Sequence, residues 1–384
     1  MNEKITIFDT TLRDGEQSPG FSMTKNQKID MALQLGQLGV DVMEAGFPIA
    51  SEGDYESVSQ IAQNVKESVV TGLARANQKD IEAVASATKS AERRRIHTFI
   101  STSDLHIQFK LKSSRQDIMG QIYQSVAMAR QYTDDVQWSA EDASRTDIDY
   151  LCQCVETAIK AGAKTINLPD TVGYAEPDDY ADMFLSVMNR VPNSDTVVFS
   201  AHCHDDRGMA IANSLSAIKA GVRQVECTIN GIGERAGNAA LEEIVMAMKS
   251  RPDKYPFSNN INTHQIMATS DCLQDITGIN VQPNKAITGR NAFAHASGIH
   301  QHGMLANRGT YEVIKPEDVG AISELMIGKH SGLHAIKNHL KVLGFEGIQQ
   351  NSLKAIYNDI IHFCDEHKTI HNSQIKKFAK THTL

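Results

Sequence analysis

The chain has 384 residues, 41% of them hydrophobic, and a formal net charge of −8, which suits one large domain with a full core plus an appendage. Its basic residues are dispersed apart from Arg93-Arg94-Arg95, which argues against a nucleic-acid surface, and no apolar run approaches the ~20 residues of a membrane span. The start, Met1-Asn-Glu-Lys-Ile-Thr-Ile, has no secretory apolar segment, so the expected location is cytoplasmic.

In chain order, short apolar runs rich in β-branched residues predict eight strands. They are Ile5–Asp9, Val40–Glu44, Val69–Leu73, Ile96–Ile100, Val136–Ser139, Thr165–Leu168, Val197–Ala201 and Gln224–Thr228. Amphipathic helical patterns such as Lys25 to Leu38 and Ile148 to Ala161 lie between them, with Gly39, Gly162 and Gly221 at expected C-caps. Arg93-Arg94-Arg95 is expected to be a solvated helix end. Eight βα units in a row predict a TIM (β/α)8 barrel over residues 1–255. A doubly wound sheet normally has fewer strands and a G-x-G-x-x-G turn, which neither Gly36-x-x-Gly39 nor Gly231-x-Gly233 completes.

After Ser250 the rhythm stops at Arg251-Pro-Asp-Lys-Tyr-Pro256. Residues 256–325 are expected to form a linker subdomain containing the Gly/His-rich run Ala292 to His302. Residues 326–384 form a small helical one, with helices over Leu333 to Leu343 and Ser352 to His367 and a frayed tail from Lys376. The six cysteines make no dense framework, so reduced, mostly buried thiols are expected rather than disulfides or structural zinc.

In a barrel, polar residues at strand C-termini converge on one face. Here they are Asp9, Arg13, Asp14, Glu44, His97, Glu141, Asp142, Asp170, Thr171, His202, His204, Asn230 and Asn238. His202 and His204 fall on the same face of a strand end, because a strand has period two. An acid near two imidazoles makes a mixed nitrogen and oxygen donor set, suited to magnesium or a divalent transition metal acting as a Lewis acid on a chelated 2-oxo acid. Asp147 and Asp178 are expected to be helix caps. Cys203 alternates to the opposite face, into the barrel wall.

These residues carry a family resemblance. Asp9-Thr-Thr-Leu-Arg-Asp-Gly-Glu-Gln-Ser-Pro-Gly20 resembles the opening signature of the metal-dependent acyl-CoA condensing barrels, the 2-isopropylmalate and homocitrate synthases. His202-x-His204 and Gly231-Ile-Gly-Glu-Arg-Ala-Gly-Asn238 resemble their second and third signatures. Asn167 to Gly173 and Asn284 to Gln301 resemble the 2-isopropylmalate synthases most.

The resemblance implies Asp14, His202 and His204 as metal ligands, with Asn238 completing or supporting the shell. It implies Arg13 as the group that neutralises charge on the substrate oxygen. His97, Ser139 and Glu141 would line the 2-oxo acid pocket, Glu141 with a catalytic role, and Thr171 would hold the substrate carboxylate. His300 and Tyr311 would assist proton transfer at the acetyl group, reaching a partner subunit's site in a homodimer. The implied cofactor is a divalent metal, manganese or magnesium with zinc or cobalt as alternatives, and acetyl-CoA is the co-substrate.

The implied reaction condenses acetyl-CoA with 3-methyl-2-oxobutanoate and hydrolyses the thioester, giving 2-isopropylmalate and CoA, the committed step toward leucine. Homocitrate, citramalate or methylthioalkylmalate synthesis differs only in what the pocket accepts; a carbon–carbon lyase and a non-catalytic 2-oxo acid sensor are the more distant readings. Two departures stand out: His302 occupies a position commonly acidic in the family, and Arg207 one commonly apolar. Leucine-regulated members usually carry a further C-terminal regulatory domain. The chain ends at Leu384, so the expectation is a form without that domain and little leucine inhibition.

Overall fold

The computed structural model describes residues 3–295, 300, 303–304, 306–322, 324–325, 327–367 and 370–383. The chain divides into two compact units, residues 1–281 and 282–384.

In the first unit the strands are β1 (Thr6–Asp9), β2 (Val42–Glu44), β3 (Val69–Thr71), β4 (Leu73–Arg75), β5 (Ile96–Ser101), β6 (Val136–Glu141), β7 (Thr165–Asn167), β8 (Val198–His202) and β9 (Gln224–Cys227). All pairings are parallel, in the order β3-β2-β1-β9-β8-β7-β6-β5-β4. Since β3 and β4 adjoin in the chain, the two ends of this order meet and the sheet closes into the expected barrel. The third predicted strand is therefore broken in two. Around Gly72 the chain lies between both neighbours: on the β2 side Thr71 O accepts from Ala45 N at 2.9 Å and Leu73 N donates to Gly46 O at 3.0 Å, while on the β5 side Val70 is already bonded to Arg93 and Arg95. A Cβ at Gly72 would stand 3.0 Å from the Pro48 ring, so only glycine passes this seam unstrained.

Helices α1 (Lys25–Leu38), α2 (Glu52–Asn64), α3 (Gln78–Ala87), α4 (Arg115–Ala129), α5 (Ile148–Ala161), α6 (Pro177–Arg190), α7 (Ala210–Ala220) and α8 (Leu241–Ser250) alternate with the strands, and α9 (Ile266–Thr277) follows. Their starts are capped locally: Thr24 and Gln27 form a capping box on α1, and Ser51, Asn77, Ser114 and Asp147 cap α2 to α5. Asp178 is not a cap as expected. Glu176 holds that position and Pro177 starts α6, which leaves Asp178 in the first turn, favourable for an acid. Gly39, Gly162 and Gly221 end their helices as expected. Gln27 and Gln34 of α1 donate to Ile276 O and Thr269 Oγ1 of α9, tying that helix to the barrel.

Each strand turns an apolar set outward to the helices and a polar set inward. In β6, Val136, Trp138 and Ala140 are buried on one face while Gln137, Ser139 and Glu141 alternate with them. The inward polar groups are paired from the N-terminal end upward. Arg95 Nη1 donates to Gln137 Oε1 (2.9 Å) and Gln224 Oε1 (2.8 Å), and its Nε to Asp135 (2.9 Å). The arginine triplet is thus no solvated helix end. Arg93 and Arg94 donate to the carbonyls of Glu67 and Tyr132, and Arg95 plugs the barrel. Charge density alone could not distinguish a plug from a surface.

In the second unit, β10 (Ala294–His295) pairs in parallel with β11 (Glu324–Leu325). Three helices follow, α10 (Leu333–Val342), α11 (Gln350–Glu366) and α12 (Asn372–Thr383), and bury Ile336, Leu340, Leu353, Ile356, Ile360, Ile375 and Ala379 together. The tail is therefore helical and packed up to Thr383 rather than frayed from Lys376, because Ile375 and Ala379 lie one turn apart on the buried face. His302 lies outside the described residues. All six cysteines are free thiols, and among the described residues no helix is long and apolar enough to cross a membrane.

Removing the Arg95 plug leaves Gln137, Gln224 and Asp135 without their shared donor. R95A is expected to destabilise the first unit by about 3 kcal/mol. Urea unfolding followed by fluorescence of Trp138, the single tryptophan, measures this.

Candidate active site

The site begins where β1 gives out. Thr10 to Asp14 turn across the barrel mouth, held by Thr10 Oγ1 and Arg13 Nε, which donate to Glu44 Oε2 at 2.7 and 2.6 Å. Glu44 is completely buried, and its other oxygen meets His97 Nδ1 at 2.6 Å. Burial works to raise the Glu44 carboxyl, but Arg13 and His97 outweigh it and hold it down to about 2, ionised. The Arg13 guanidinium, fixed by Glu44, also donates to Asp14 Oδ2.

At the end of β8, His202 Nε2 and His204 Nε2 approach to 3.2 Å, and Asp14 Oδ2 stands 3.9 and 4.0 Å from them. His202 Nδ1 lies 2.9 Å from Glu226 Oε2 on the adjacent strand. Hydrogen on Nδ1 leaves Nε2 as a lone pair facing the other two groups. Burial pushes His204 down to about 4, helped by His202, so it is neutral near pH 7. For Asp14 burial is again opposed and overcome, by Arg13, the two imidazoles and the Asn238 hydrogen bond, so its carboxyl sits below the usual range. Asn238 Nδ2 donates to Asp14 Oδ1 at 2.9 Å, while Asn238 Oδ1 and His204 Nδ1 are buried without a hydrogen-bond partner among the described residues.

The two Nε2 atoms and the carboxylate oxygen face one point, and a hydrogen shared between the rings or a cation between all three relieves their repulsion. Asp14, His202 and His204 form a group able to hold a metal ion, and the donor set fits a divalent cation.

These groups border a cavity of about 290 Å3 at the C-terminal end of the barrel, the end that carries chemistry in this fold. Arg13, Asp14, His97, Ser139, Glu141, Thr171, His202 and His204 all line it. Asn238 stands behind Asp14. His300 and Tyr311 belong to the second unit, where their rings lie 4.3 Å apart. Glu44, like Asn238, supports lining residues without lining the cavity itself, and four further candidates turn away from it. Asp9 is buried and accepts from Thr11 N and Oγ1; Asp142 is held by Arg145 through both oxygens; Asp170 caps Tyr174 N and Ala175 N; and Asn230 accepts from Ser270. Each lies at a strand end, but its local partners turn it into the loop structure. Cys203 is buried in the barrel wall, as expected.

Sequence reading missed Lys110, Glu226 and Arg235. Glu226 was within reach: it is two residues after Gln224 on β9, so the pair must share an inward face. Lys110 had no such signal. It sits in a π-helical turn, Ile107–Leu111, and its ammonium meets both oxygens of Glu141 at 2.6 and 2.8 Å. Arg235, at the rim, takes a left-handed backbone (φ 58°) and grips Asp206.

The third signature also has a packing reason. A Cβ at Gly233 would stand 2.0 Å from Asn238 Nδ2 and 3.1 Å from Asp14 Oδ1, so this glycine leaves room for the Asn–Asp contact.

Residues 4–273 match the HMGL-like family, and residues 287–368 match the homocitrate synthase post-HMGL domain-like family. The chain superposes on the HMG-CoA lyases of Bacillus subtilis (TM-score 0.63, 20% identity, 76% of this chain and 97% of that one) and Brucella melitensis (0.61, 18%, 72% and 100%), a likeness of fold. Barrel and site together define an HMGL-like, metal-dependent enzyme of acyl-CoA chemistry. More narrowly, the chain is 53% identical to the 2-isopropylmalate synthase of Bradyrhizobium sp. (strain ORS 278) over 97% of its length and 71% of the relative's. With that of Aquifex aeolicus the figures are 53%, 98% and 72%. The chain belongs to the 2-isopropylmalate synthase family.

Two outcomes are expected. G233A weakens divalent-metal binding more than tenfold by titration calorimetry while circular dichroism stays unchanged. Asp9, pushed up to about 7 mainly by burial, binds a proton more tightly folded than unfolded. Its contribution therefore lowers stability as pH rises from about 4 to about 7. D9N removes this, so the melting-temperature difference between D9N and the parent shifts in favour of D9N between pH 5 and pH 8.

Proposed function

We infer that this barrel condenses acetyl-CoA with 3-methyl-2-oxobutanoate and hydrolyses the resulting thioester, giving 2-isopropylmalate and CoA for leucine biosynthesis. The observation that carries the reading at the site is the convergence of Asp14, His202 and His204 on one wall of a cavity that also has the apolar Leu73, Phe99 and Pro169 in its lining. Asp14, His202 and His204 are the proposed ligands of a divalent metal, manganese or magnesium, with Asn238 supporting Asp14. When bound, the metal supplies Lewis-acid polarisation of the 2-oxo acid's carbonyl.

The remaining work falls to the chain's own groups. Arg13, immobilised by Glu44, offers its guanidinium to the oxygen on which charge grows, and no reorganisation is needed at that moment. Thr171 Oγ1 accepts from Asp142 N at 2.9 Å, which leaves its hydroxyl hydrogen for the substrate carboxylate. His97 and Ser139 form the floor, and Leu73, Phe99 and Pro169 supply apolar wall for a branched side chain. Glu141, paired with Lys110, faces the same space. The acetyl methyl must lose a proton to become a nucleophile, and His300 with Tyr311 is the proposed pair for it, delivered to the site across a homodimer. An imidazole serves as base near neutral pH. We place the enzyme in the cytoplasm.

The test is CoA release by the metal-loaded protein with acetyl-CoA and a panel of 2-oxo acids. 3-Methyl-2-oxobutanoate is expected to exceed pyruvate, 2-oxoglutarate and 4-methylthio-2-oxobutanoate about tenfold or more in kcat/KM. D14N is expected to reduce turnover by about 10^3-fold. Preference for another acid moves the pathway assignment, and an active D14N removes the metal assignment.

A further inference from the structure

Glu226, which lines the cavity, and Gln137, which does not, form a pair that the proposed reaction leaves unused. Glu226 is almost completely buried in β9, with one oxygen facing His202 Nδ1 at 2.9 Å and the other accepting from Gln137 Nε2 at 2.5 Å. Gln137, also completely buried, has its amide oriented without ambiguity. Its oxygen accepts from Arg95 Nη1 and Gln224 Nε2, both at 2.9 Å, so its nitrogen must point the other way. That nitrogen has two acceptors in reach, Glu226 Oε1 and, at 3.3 Å, His97 Nε2. His97 in turn places Nδ1 against the ionised Glu44 and receives Ser139 Oγ at Nε2, 2.6 Å away.

We propose that Gln137 is a positioning residue that acts on the metal through Glu226 and on the 2-oxo acid pocket through His97. The inference rests on the metal reading of Asp14, His202 and His204. A carboxylate on a two-carbon stem can rotate, and Glu226 orients His202 only if its own second oxygen is fixed. Gln137 supplies that fixed point because Arg95 and Gln224 prevent its amide from turning over. The same amide donates toward His97 Nε2, so the ring that lines the substrate pocket and the ring that holds the metal are set by one group. The ligand field of the metal and the shape of the 2-oxo acid pocket are thereby adjusted together rather than separately. Groups that orient a metal-ligating histidine are commonly worth 10–100-fold in affinity, which gives the scale.

Metal titration of the metal-free full chain, with Mn2+ by calorimetry and Co2+ by its visible absorption spectrum, tests this without reference to turnover. E226Q is expected to weaken Mn2+ binding tenfold or more. Q137M, which touches no proposed ligand, is expected to weaken it about threefold to tenfold and to shift the Co2+ band. The E226Q/Q137M double variant is expected to be no weaker than E226Q, since both act through one contact. At saturating metal, Q137M raises KM for the 2-oxo acid while KM for acetyl-CoA is unchanged. If Q137M does not fold, Q137N keeps an amide for Arg95 and Gln224 but is one methylene short of Glu226, and the same titration applies. A folded Q137M or Q137N with Mn2+ affinity and Co2+ spectrum like the parent overturns the inference, as does an additive double variant. A parent chain that binds neither ion overturns the metal reading itself.

Discussion

A carboxylate with no access to water is tolerated only when positive charge or hydrogen-bond donors surround it, and Glu44 sets that condition for the whole barrel mouth. Its oxygens are taken by Thr10, Arg13 and His97. Arg13 reaches on to Asp14, and Asp14 to the imidazoles. His202 passes the constraint to Glu226, Gln137 and back to His97. The interior polar groups therefore form a circuit rather than a collection of pairs. In a low-dielectric interior each member fixes the rotamer and protonation of the next, so catalytic geometry is built into the fold before any ligand arrives.

The circuit explains how one end of the barrel can be rigid and the other reactive. At the N-terminal end Arg95, Gln137 and Gln224 hold one another through hydrogen bonds. At the C-terminal end, Asn238 Oδ1 and His204 Nδ1 have no hydrogen-bond partner among the described residues, and two imidazole nitrogens face each other. Unpaired buried polar groups are costly and rare. Those of Asn238 and His204 adjoin the Asp14, His202 and His204 group, where stability is given up for ligand binding.

Most of the fold was legible because parallel barrel strands and their helices carry strong periodic signals: eight apolar runs, capping residues at helix starts, glycines at helix ends. The cavity-lining set was legible in part from position at strand ends and more sharply from the three signature motifs. What escaped has a common cause. Asp9, Asp142, Asp170 and Asn230 satisfy the positional rule, yet contacts two to five residues away, or in Asn230 a neighbouring helix, redirect them. Lys110 depends on a π-helical turn, which has no compositional mark. Arg95 depends on which end of a strand it occupies, and the split at Gly72 on a backbone-to-ring distance. These are relations between segments, and no single window of sequence contains them.

The seam at Gly72 has a bearing on how such a scaffold diversifies. Leu73, the first residue after it, is part of the cavity wall, pairs with β5, and is also bonded to Gly46, two residues beyond Glu44. A change of side chain size there is made next to the strand whose carboxylate holds Arg13. The wall that measures the substrate and the wall that activates it are neighbours, so an evolving lineage rewrites its appetite for side chains only within what the shared chemistry tolerates.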